Sequence, residues 1–184
     1  MRKTVATFSQ HAQGFRIEVL SPVHDRKNFS SGVEPLDRYL RDLASQDVKR
    51  RVSNCFVALD DAGVIAGYYT FAAASFPLTE LPADMTKRLP RYALLPAGLV
   101  GRLAVDRKFQ GQRLGGALIM DAAARAACAE PAIFALIVDA KDDAAVSFYQ
   151  HLKFQRLASK PMSLFLPIAT ALDALHVKPT TGKK

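Results

Sequence analysis

The chain has 184 residues, of which 49% are hydrophobic and 23% are charged, as in an ordinary soluble globular protein. No apolar run approaches the roughly 20 residues of a membrane span, and the start MRKTVATFSQHAQGF lacks the apolar region of a secretory signal. We therefore expect a cytoplasmic protein without a membrane partner. The net charge of +8 favours anionic partners such as nucleic acid, acidic proteins or polyanionic cofactors, although solubility alone would also account for it.

The spacing of apolar residues predicts one mixed α/β domain over residues 15–176, after a flexible extension at 1–14 and before a disordered tail at 177–184. Apolar runs predict strands at residues 15–20, 54–59, 64–73, 99–105, 132–138, 154–157 and 162–166. Helical spacing predicts helices at residues 36–51, 114–129, 142–151 and 168–175. Segment 76–96 contains four prolines and is expected to be irregular, with one short helix at most.

The cysteines and histidines suggest no metal site. Cys55 and Cys128 sit in apolar stretches, and we expect both to be small core residues. The four histidines lack the spacing of metal ligands. A pair of cysteines without a disulfide framework is also consistent with a reducing cytoplasm.

The stretch VDRKFQGQRLGGALI places a glycine-rich turn between a predicted strand and a predicted helix. The first N–H groups of a helix have no partner within the helix and carry partial positive charge, and glycines allow the backbone to approach an anion closely. The turn matches neither GxGxxG with a distant acidic residue nor GxxxxGK[ST]. From the residues alone, a phosphate site and a purely structural turn both remain open.

A longer stretch, GRLAVDRKFQGQRLGGALIMDA, resembles the acetyl-CoA signature of the GNAT acetyltransferase superfamily. In that family a Q/R-x-x-G-x-G/A motif cradles the CoA pyrophosphate. The resemblance implies that the turn binds this group through Gln110, Gly111, Gln112, Arg113, Leu114, Gly115 and Gly116. It also implies that the strand Leu103, Ala104, Val105 pairs with the pantetheine arm. Arg113 stands where the family usually has its first motif glycine, so its backbone must still make the turn into the helix.

The stretch DAKDDAAVSFYQHLKF resembles a second segment of the same family, which usually ends in glycine-phenylalanine. Phe148, Tyr149 and Phe154 match that pattern, whereas Lys153 replaces the glycine. The resemblance places Tyr149 beside the CoA sulfur as the catalytic acid, and Phe148 in the cofactor site. A phenol with a pKa near 10 is protonated at neutral pH and can donate to a leaving thiolate.

Three further stretches, HDRKNFSSGVEPLDRYLRDLASQD, GYYTF and LPRYALLPAGLVGRLAVD, resemble one branch of the superfamily. That branch comprises the GNAT toxins of type II toxin–antitoxin pairs, which use acetyl-CoA to acetylate the α-amino group of aminoacyl-tRNA and so block translation. The resemblance implies a GNAT fold: a central mixed, mostly antiparallel sheet that is splayed at the acetyl-CoA strand and has helices on both faces. It further implies a homodimer and a ribbon-helix-helix antitoxin that binds operator DNA together with the toxin, with no metal cofactor.

The sequence offers no clear general base. An α-amino group has a pKa near 7.7–8.0, lower beside an ester, and loses its proton far more readily than a lysine side chain. Two alternatives remain open at this point. One is a small-molecule or protein N-acetyltransferase of the same fold. The other is a non-catalytic regulatory subunit that binds acetyl-CoA or DNA.

The basic residues form three short clusters along the sequence, any of which would suit a phosphate backbone if they shared a face. They are Lys49-Arg50-Arg51, Lys87-Arg88-Arg91, and Arg102 with Arg107-Lys108. A solvated surface is the alternative interpretation of each. One tyrosine of the sequence Gly67-Tyr68-Tyr69-Thr70 is expected on a central strand, facing the acceptor site.

Overall fold

This computed structural model describes residues 14–176 of the chain. These residues contain seven strands and six α-helices. The strands are β1 (Arg16–Val19), β2 (Asn54–Leu59), β3 (Ile65–Pro77), β4 (Leu94–Val105), β5 (Ala135–Asp139), β6 (Gln155–Arg156) and β7 (Ser163–Pro167). The helices are α1 (Glu34–Arg38), α2 (Ala44–Lys49), α3 (Ala83–Thr86), α4 (Leu114–Ala127), α5 (Asp143–His151) and α6 (Ile168–His176). The extension and tail predicted at the two termini lie outside these residues, apart from Gly14.

The strands follow the order β1-β2-β3-β4-β5-β7-β6. The β1–β2, β5–β7 and β6–β7 pairs are antiparallel, and β4 and β5 are parallel. This mixed, mostly antiparallel arrangement confirms the predicted fold class. The described chain forms two compact units, residues 14–69 with 102–121 and residues 70–101 with 122–176, and both β3 and β4 run from one unit into the other.

The first unit packs its helical segment against β2 and the beginning of β3. A π-helical turn at Tyr39–Leu43 joins α1 to α2, so the predicted helix forms with a wider turn at its centre. Tyr39 donates to Asp47 Oδ2 at 2.9 Å, and the guanidinium carbon of Arg102 lies 3.7 Å from the centre of its ring. The buried core is Leu20, Phe29, Tyr39, Leu40, Ala44, Cys55, Val57, Leu59, Ile65, Tyr68 and Ala104.

A tight turn connects β2 to β3, between the two strands predicted at residues 54–59 and 64–73. Asp60 Oδ1 accepts hydrogen bonds from the N–H groups of Ala62 at 3.0 Å and Val64 at 2.8 Å. Gly63 closes the turn at a φ of 80°, a left-handed conformation that glycine adopts without a steric penalty. The turn therefore fixes where the long strand β3 begins.

The second unit has an aromatic core centred on Phe76, whose ring lies 6.3 Å from that of Phe134 and 6.1 Å from that of Phe165. Its buried core residues are Phe76, Leu81, Leu95, Ala97, Ala135, Ile137, Leu157 and Phe165. Within residues 14–176, none of the helices has both the length and the apolar character needed to cross a bilayer.

Two local predictions were wrong. Segment 76–96, predicted to be irregular, contains the end of β3, which runs through Pro77, and the start of β4 at Leu94. A 3₁₀ turn and α3 lie between these two strands. Burial of Phe76 in the aromatic core draws this end of β3 into the sheet. Cys128 is exposed rather than buried, because α4 ends one residue earlier, at Ala127.

Candidate active site

The glycine-rich turn of the first unit is anchored by Asp106, the residue directly after β4. Its Oδ2 accepts a hydrogen bond from the N–H of Ser30 at 2.9 Å, and its Oδ1 accepts one from the N–H of Lys108 at 2.9 Å. The N–H of Asp106 itself donates to the carbonyl of Ala66 at 2.8 Å. Because both carboxylate oxygens are engaged and the side chain is only 5% exposed, Asp106 is an anchor of the turn rather than an available base.

Gln110 braces the same turn with its side chain. Its Nε2 donates to the carbonyl of Ser31 at 2.9 Å and to the carbonyl of Val105 at 3.0 Å. Gln112 Nε2 donates to the carbonyl of Lys108 at 3.3 Å. Both predicted glutamines therefore shape the loop through side-chain hydrogen bonds.

The chain reverses into α4 through two left-handed residues, Gly111 at a φ of 78° and Arg113 at 60°. Arg113 therefore makes the turn expected of it, in a conformation that costs a residue with a side chain about 1–2 kcal/mol. The first helical hydrogen bond runs from Ala117 N–H to Arg113 O at 3.2 Å. The N–H groups of Leu114, Gly115 and Gly116 thus begin the helix without an i−4 partner inside it, the arrangement that binds anions.

The strand before the turn, β4, extends beyond the residues that are in register with β5. The register between β4 and β5 runs from Ala97, opposite Ala135, to Val100, opposite Val138, and β4 continues to Val105. Ala104 is buried, whereas Leu103 and Val105 are half-buried. The predicted pantetheine residues therefore lie on the part of β4 beyond its described register with β5.

The candidate acid Tyr149 lies in the second unit on α5. Asp142 caps this helix by accepting a hydrogen bond from Ala145 N–H at 2.8 Å, and Val146 and Tyr149 are its buried residues. Tyr149 is 8% exposed, and this burial raises its pKa to about 12. The phenol therefore stays protonated at neutral pH and remains a hydrogen-bond donor.

Two phenylalanines hold the ring of Tyr149. Phe148 meets it edge-on at 5.1 Å between centroids, and Phe154 lies at 5.4 Å. Phe154 is 3% exposed, whereas Phe148 is 37% exposed, which leaves much of the predicted cofactor residue accessible. The ring of Tyr149 thus has one buried and one accessible aromatic neighbour.

The end of α5 explains why Phe154 reaches Tyr149. Lys153 has a φ of 71°, and its N–H donates to Gln150 O at 2.9 Å while Phe154 N–H donates to Tyr149 O at 3.1 Å. These are the two hydrogen bonds of a Schellman motif, in which glycine is the usual left-handed residue. Lys153 therefore takes the conformation of the glycine that it replaces.

The sequence analysis missed the network that ties the turn to the segment before α1. Ser31 Oγ donates to Asp37 Oδ1 at 2.5 Å, and Arg107 N–H donates to Ser30 O at 2.9 Å. The only sequence feature that points to this network is the serine pair in SSGVEPLD, a stretch whose composition is typical of a helix start. Arg107 also packs against Gly32, where an added Cβ would lie 2.8 Å from its Nε.

The tyrosines of β3 do not match the expectation that one of them faces the acceptor site. Tyr68 and Tyr69 are both fully buried. The hydroxyl of Tyr68 donates to Leu36 O at 2.7 Å, and that of Tyr69 donates to Asp121 Oδ2 at 2.6 Å. Both side chains therefore serve the interior of the first unit.

Comparison with known proteins agrees with this geometry. Residues 51–156, more than half of the chain, match the acetyltransferase (GNAT) domain family. A tRNA-acetylating toxin of Mycobacterium tuberculosis is 37% identical over 149 residues, which cover 80% of this chain and 88% of that protein. AtaT complexed with acetyl-methionyl-tRNAfMet has a TM-score of 0.77 and 27% identity, and covers 88% of this chain and 98% of its own. The KacTA–DNA complex has a TM-score of 0.68 and 25% identity, with coverages of 88% and 98%. The chain belongs to the GNAT acetyltransferase family.

Proposed function

We propose that this protein is an acetyl-CoA-dependent N-acetyltransferase, the toxin of a type II toxin–antitoxin pair, that acetylates the α-amino group of aminoacyl-tRNA and blocks translation. The observation that carries the proposal is its 37% identity, over 80% of the chain, to a tRNA-acetylating toxin. The similar structure of AtaT contains acetyl-methionyl-tRNA, which is a product of this type.

The residues of the turn fit the CoA pyrophosphate. Three features of the turn favour a polyanion: N–H groups at the start of α4 that have no i−4 partner within the helix, the left-handed backbone of Gly111 and Arg113, and the exposed Arg113 side chain. Bound there, acetyl-CoA supplies the thioester carbonyl that the amine attacks. Asp106 and Gln110 keep the turn in shape while the ligand binds.

Tyr149 would donate a hydrogen bond, and then a proton, to the thiolate that leaves when the C–S bond breaks. Its pKa of about 12 keeps the proton available at any physiological pH. Transfer from this buried phenol to a fully hydrated thiolate, whose conjugate acid has a pKa near 8.5, would be uphill by about 5 kcal/mol. Burial also disfavours the charged thiolate and therefore raises the pKa of its conjugate thiol. A thiol in the same apolar surroundings as Tyr149 would thus have a pKa closer to that of the phenol.

The acceptor amine needs little help to lose its proton. An α-amino group next to an ester is largely neutral near pH 8, so it can attack without a strong base. Holding this amine against the thioester would then supply much of the acceleration. Such an acceptor fits the sequence, which shows no clear general base.

The charge of the protein suits a nucleic-acid substrate and a DNA-bound complex. The three basic clusters are exposed: Lys49, Arg50, Arg51, Arg102, Arg107 and Lys108 belong to the first unit, and Lys87, Arg88 and Arg91 to the second. Exposed Tyr92, beside Arg91, is a candidate for stacking on a terminal base. We include in the proposal a homodimer and a ribbon-helix-helix antitoxin that joins it on operator DNA, because the similar KacTA complex binds DNA.

The test is acetyl transfer from labelled acetyl-CoA to a pool of charged tRNAs, with Tyr149→Phe as the variant and Tyr92→Phe as its control. Loss of the hydroxyl group of Tyr149 is expected to lower kcat by about 100-fold or more, the effect of removing a general acid. The exposed Tyr92 loses the same hydroxyl and keeps its ring, so this control should retain wild-type kcat.

Other outcomes would identify the alternatives. Label on free amines or proteins but not on tRNA would favour a small-molecule or protein N-acetyltransferase. Binding of acetyl-CoA without any transfer, unaffected by Tyr149→Phe, would favour a non-catalytic regulatory subunit.

A further inference from the structure

A pocket of about 250 Å³ opens in the second unit. Its apolar lining is Ala74, Phe76, Pro77, Leu99, Ile137 and Leu157. Three of them, Phe76, Ile137 and Leu157, are at most 7% exposed and belong to the core. The remaining polar lining is Ser75, Glu80, Asp139, Lys160 and Ser163.

Strand register fixes both kinds of lining on one face. Leu99 of β4 lies opposite Ile137 of β5, and Asp139 of β5 lies opposite Ser163 of β7. Side chains two residues apart on a strand point to the same face, so Ile137 and Asp139 lie side by side. The pocket therefore stands on paired strands, which hold its groups more rigidly than loops would.

The two carboxylates of the pocket have different surroundings. Glu80 accepts hydrogen bonds from Ser159 N–H at 2.9 Å and Ser159 Oγ at 2.5 Å, and these bonds, with Lys160 nearby, lower its pKa. Asp139 accepts one from Ser163 Oγ at 2.5 Å and is itself exposed. Glu80 is thus bonded to the loop before β7, whereas Asp139 is bonded to a buried serine and remains exposed.

We propose that this pocket holds the aminoacyl group of the acceptor, with an apolar side chain against Phe76, Leu99 and Ile137 and the α-amino group hydrogen-bonded to Asp139. This inference rests on the proposed function and specifies its acceptor. The volume lies below the roughly 300–1,000 Å³ of whole-ligand pockets, so it suits one amino-acid side chain rather than a nucleotide. An amine donates N–H bonds to the carboxylate whether or not it is protonated.

The first test changes the size of the pocket and measures acetylation of separate charged tRNAs. Ala74→Leu fills the apolar lining, and Ala73→Leu adds the same atoms at an exposed neighbour that is not part of the pocket lining. Filling should lower kcat/KM for tRNAs bearing leucine or methionine at least tenfold and change glycyl-tRNA less than threefold. Ala73→Leu should leave the preference unchanged.

A second variant protects the test if Ala74→Leu folds poorly. Leu99→Ala enlarges the pocket, so it should shift the preference from small towards larger apolar aminoacyl groups. Equal slowing of all aminoacyl-tRNAs by Ala74→Leu, together with an unchanged preference in Leu99→Ala, would overturn the inference.

Asp139 is tested by binding, without acetyl-CoA or tRNA. In an NMR titration, leucinamide should bind at least tenfold more tightly than the isosteric 2-hydroxy-4-methylpentanamide. Asp139→Asn should remove that difference, whereas Asp143→Asn, an exposed residue of α5 outside the pocket, should keep it.

The two experiments separate failure of the inference from failure of the proposed function. Acetylation of aminoacyl-tRNA with no response to the pocket variants would overturn only the pocket. Leucinamide binding that depends on Asp139, in a protein that acetylates no aminoacyl-tRNA, would support the pocket and overturn the acceptor class. Absence of both activities would overturn both.

Discussion

Replacing Lys153 by glycine should stabilise the protein. Lys153 is held at a φ of 71° by the hydrogen bonds that end α5, a conformation that costs an L-residue with a side chain about 1–2 kcal/mol. Glycine removes that cost but has more freedom in the unfolded chain, worth roughly 0.5–1 kcal/mol. The net gain is about 0.5–1 kcal/mol, which for a chain of this size raises Tm by about 1–4 °C.

The assay is thermal or urea unfolding of wild type, Lys153→Gly and Lys153→Ala. Alanine also removes the exposed lysine side chain but keeps the Cβ that strains the left-handed backbone, so it should bring no gain. A β-branched residue, in Lys153→Val, should lower Tm. If glycine and alanine gave the same Tm, the strain assigned to this position would be refuted, and the lysine side chain would be what matters.

Three further results are expected. Asp106→Asn places an amide NH₂ against the N–H of Ser30 or Lys108, so it should lower the free energy of unfolding in urea by about 1–3 kcal/mol. It should also raise the KM for acetyl-CoA. The exposed control, Asp61→Asn, should change neither quantity. A thiol reagent should label Cys128 in the native protein and Cys55 only after unfolding; two rapidly reacting thiols would contradict the buried position of Cys55. Burial raises the pKa of the Cys55 thiol to about 12, so above pH 8.5 the unfolded chain ionises first and stability falls, by about 2 kcal/mol at pH 10, a loss that Cys55→Ala should remove.

Patterns in the sequence predicted the elements that are stabilised by contacts between residues close together in the chain. The hairpin turn at Asp60 and the cap of α5 at Asp142 depend on contacts within four residues. The strands predicted on either side of that turn and the helix predicted at residues 142–151 both form. The anchoring of the turn by Asp106 depends on Ser30, which is 76 residues away, and no periodicity reports such a contact. The end of β3 was missed for the same reason, because Phe76 is buried by Phe165 of β7 and by Phe134, which directly precedes β5.

Lys153 and Arg113 show what a motif records and what it leaves out. At both positions the family pattern has glycine and this chain has a basic residue, so a comparison by residue type finds two departures. At both positions the backbone is nevertheless left-handed, at a φ of 71° and 60°. The conformation therefore persists without the residue that usually permits it, at a cost that surrounding contacts must offset. For Lys153 those contacts are the two cap hydrogen bonds and the burial of Phe154 against Tyr149. The requirement at these sites is thus a backbone geometry: at Arg113 it starts α4, and at Lys153 it brings Phe154 against Tyr149.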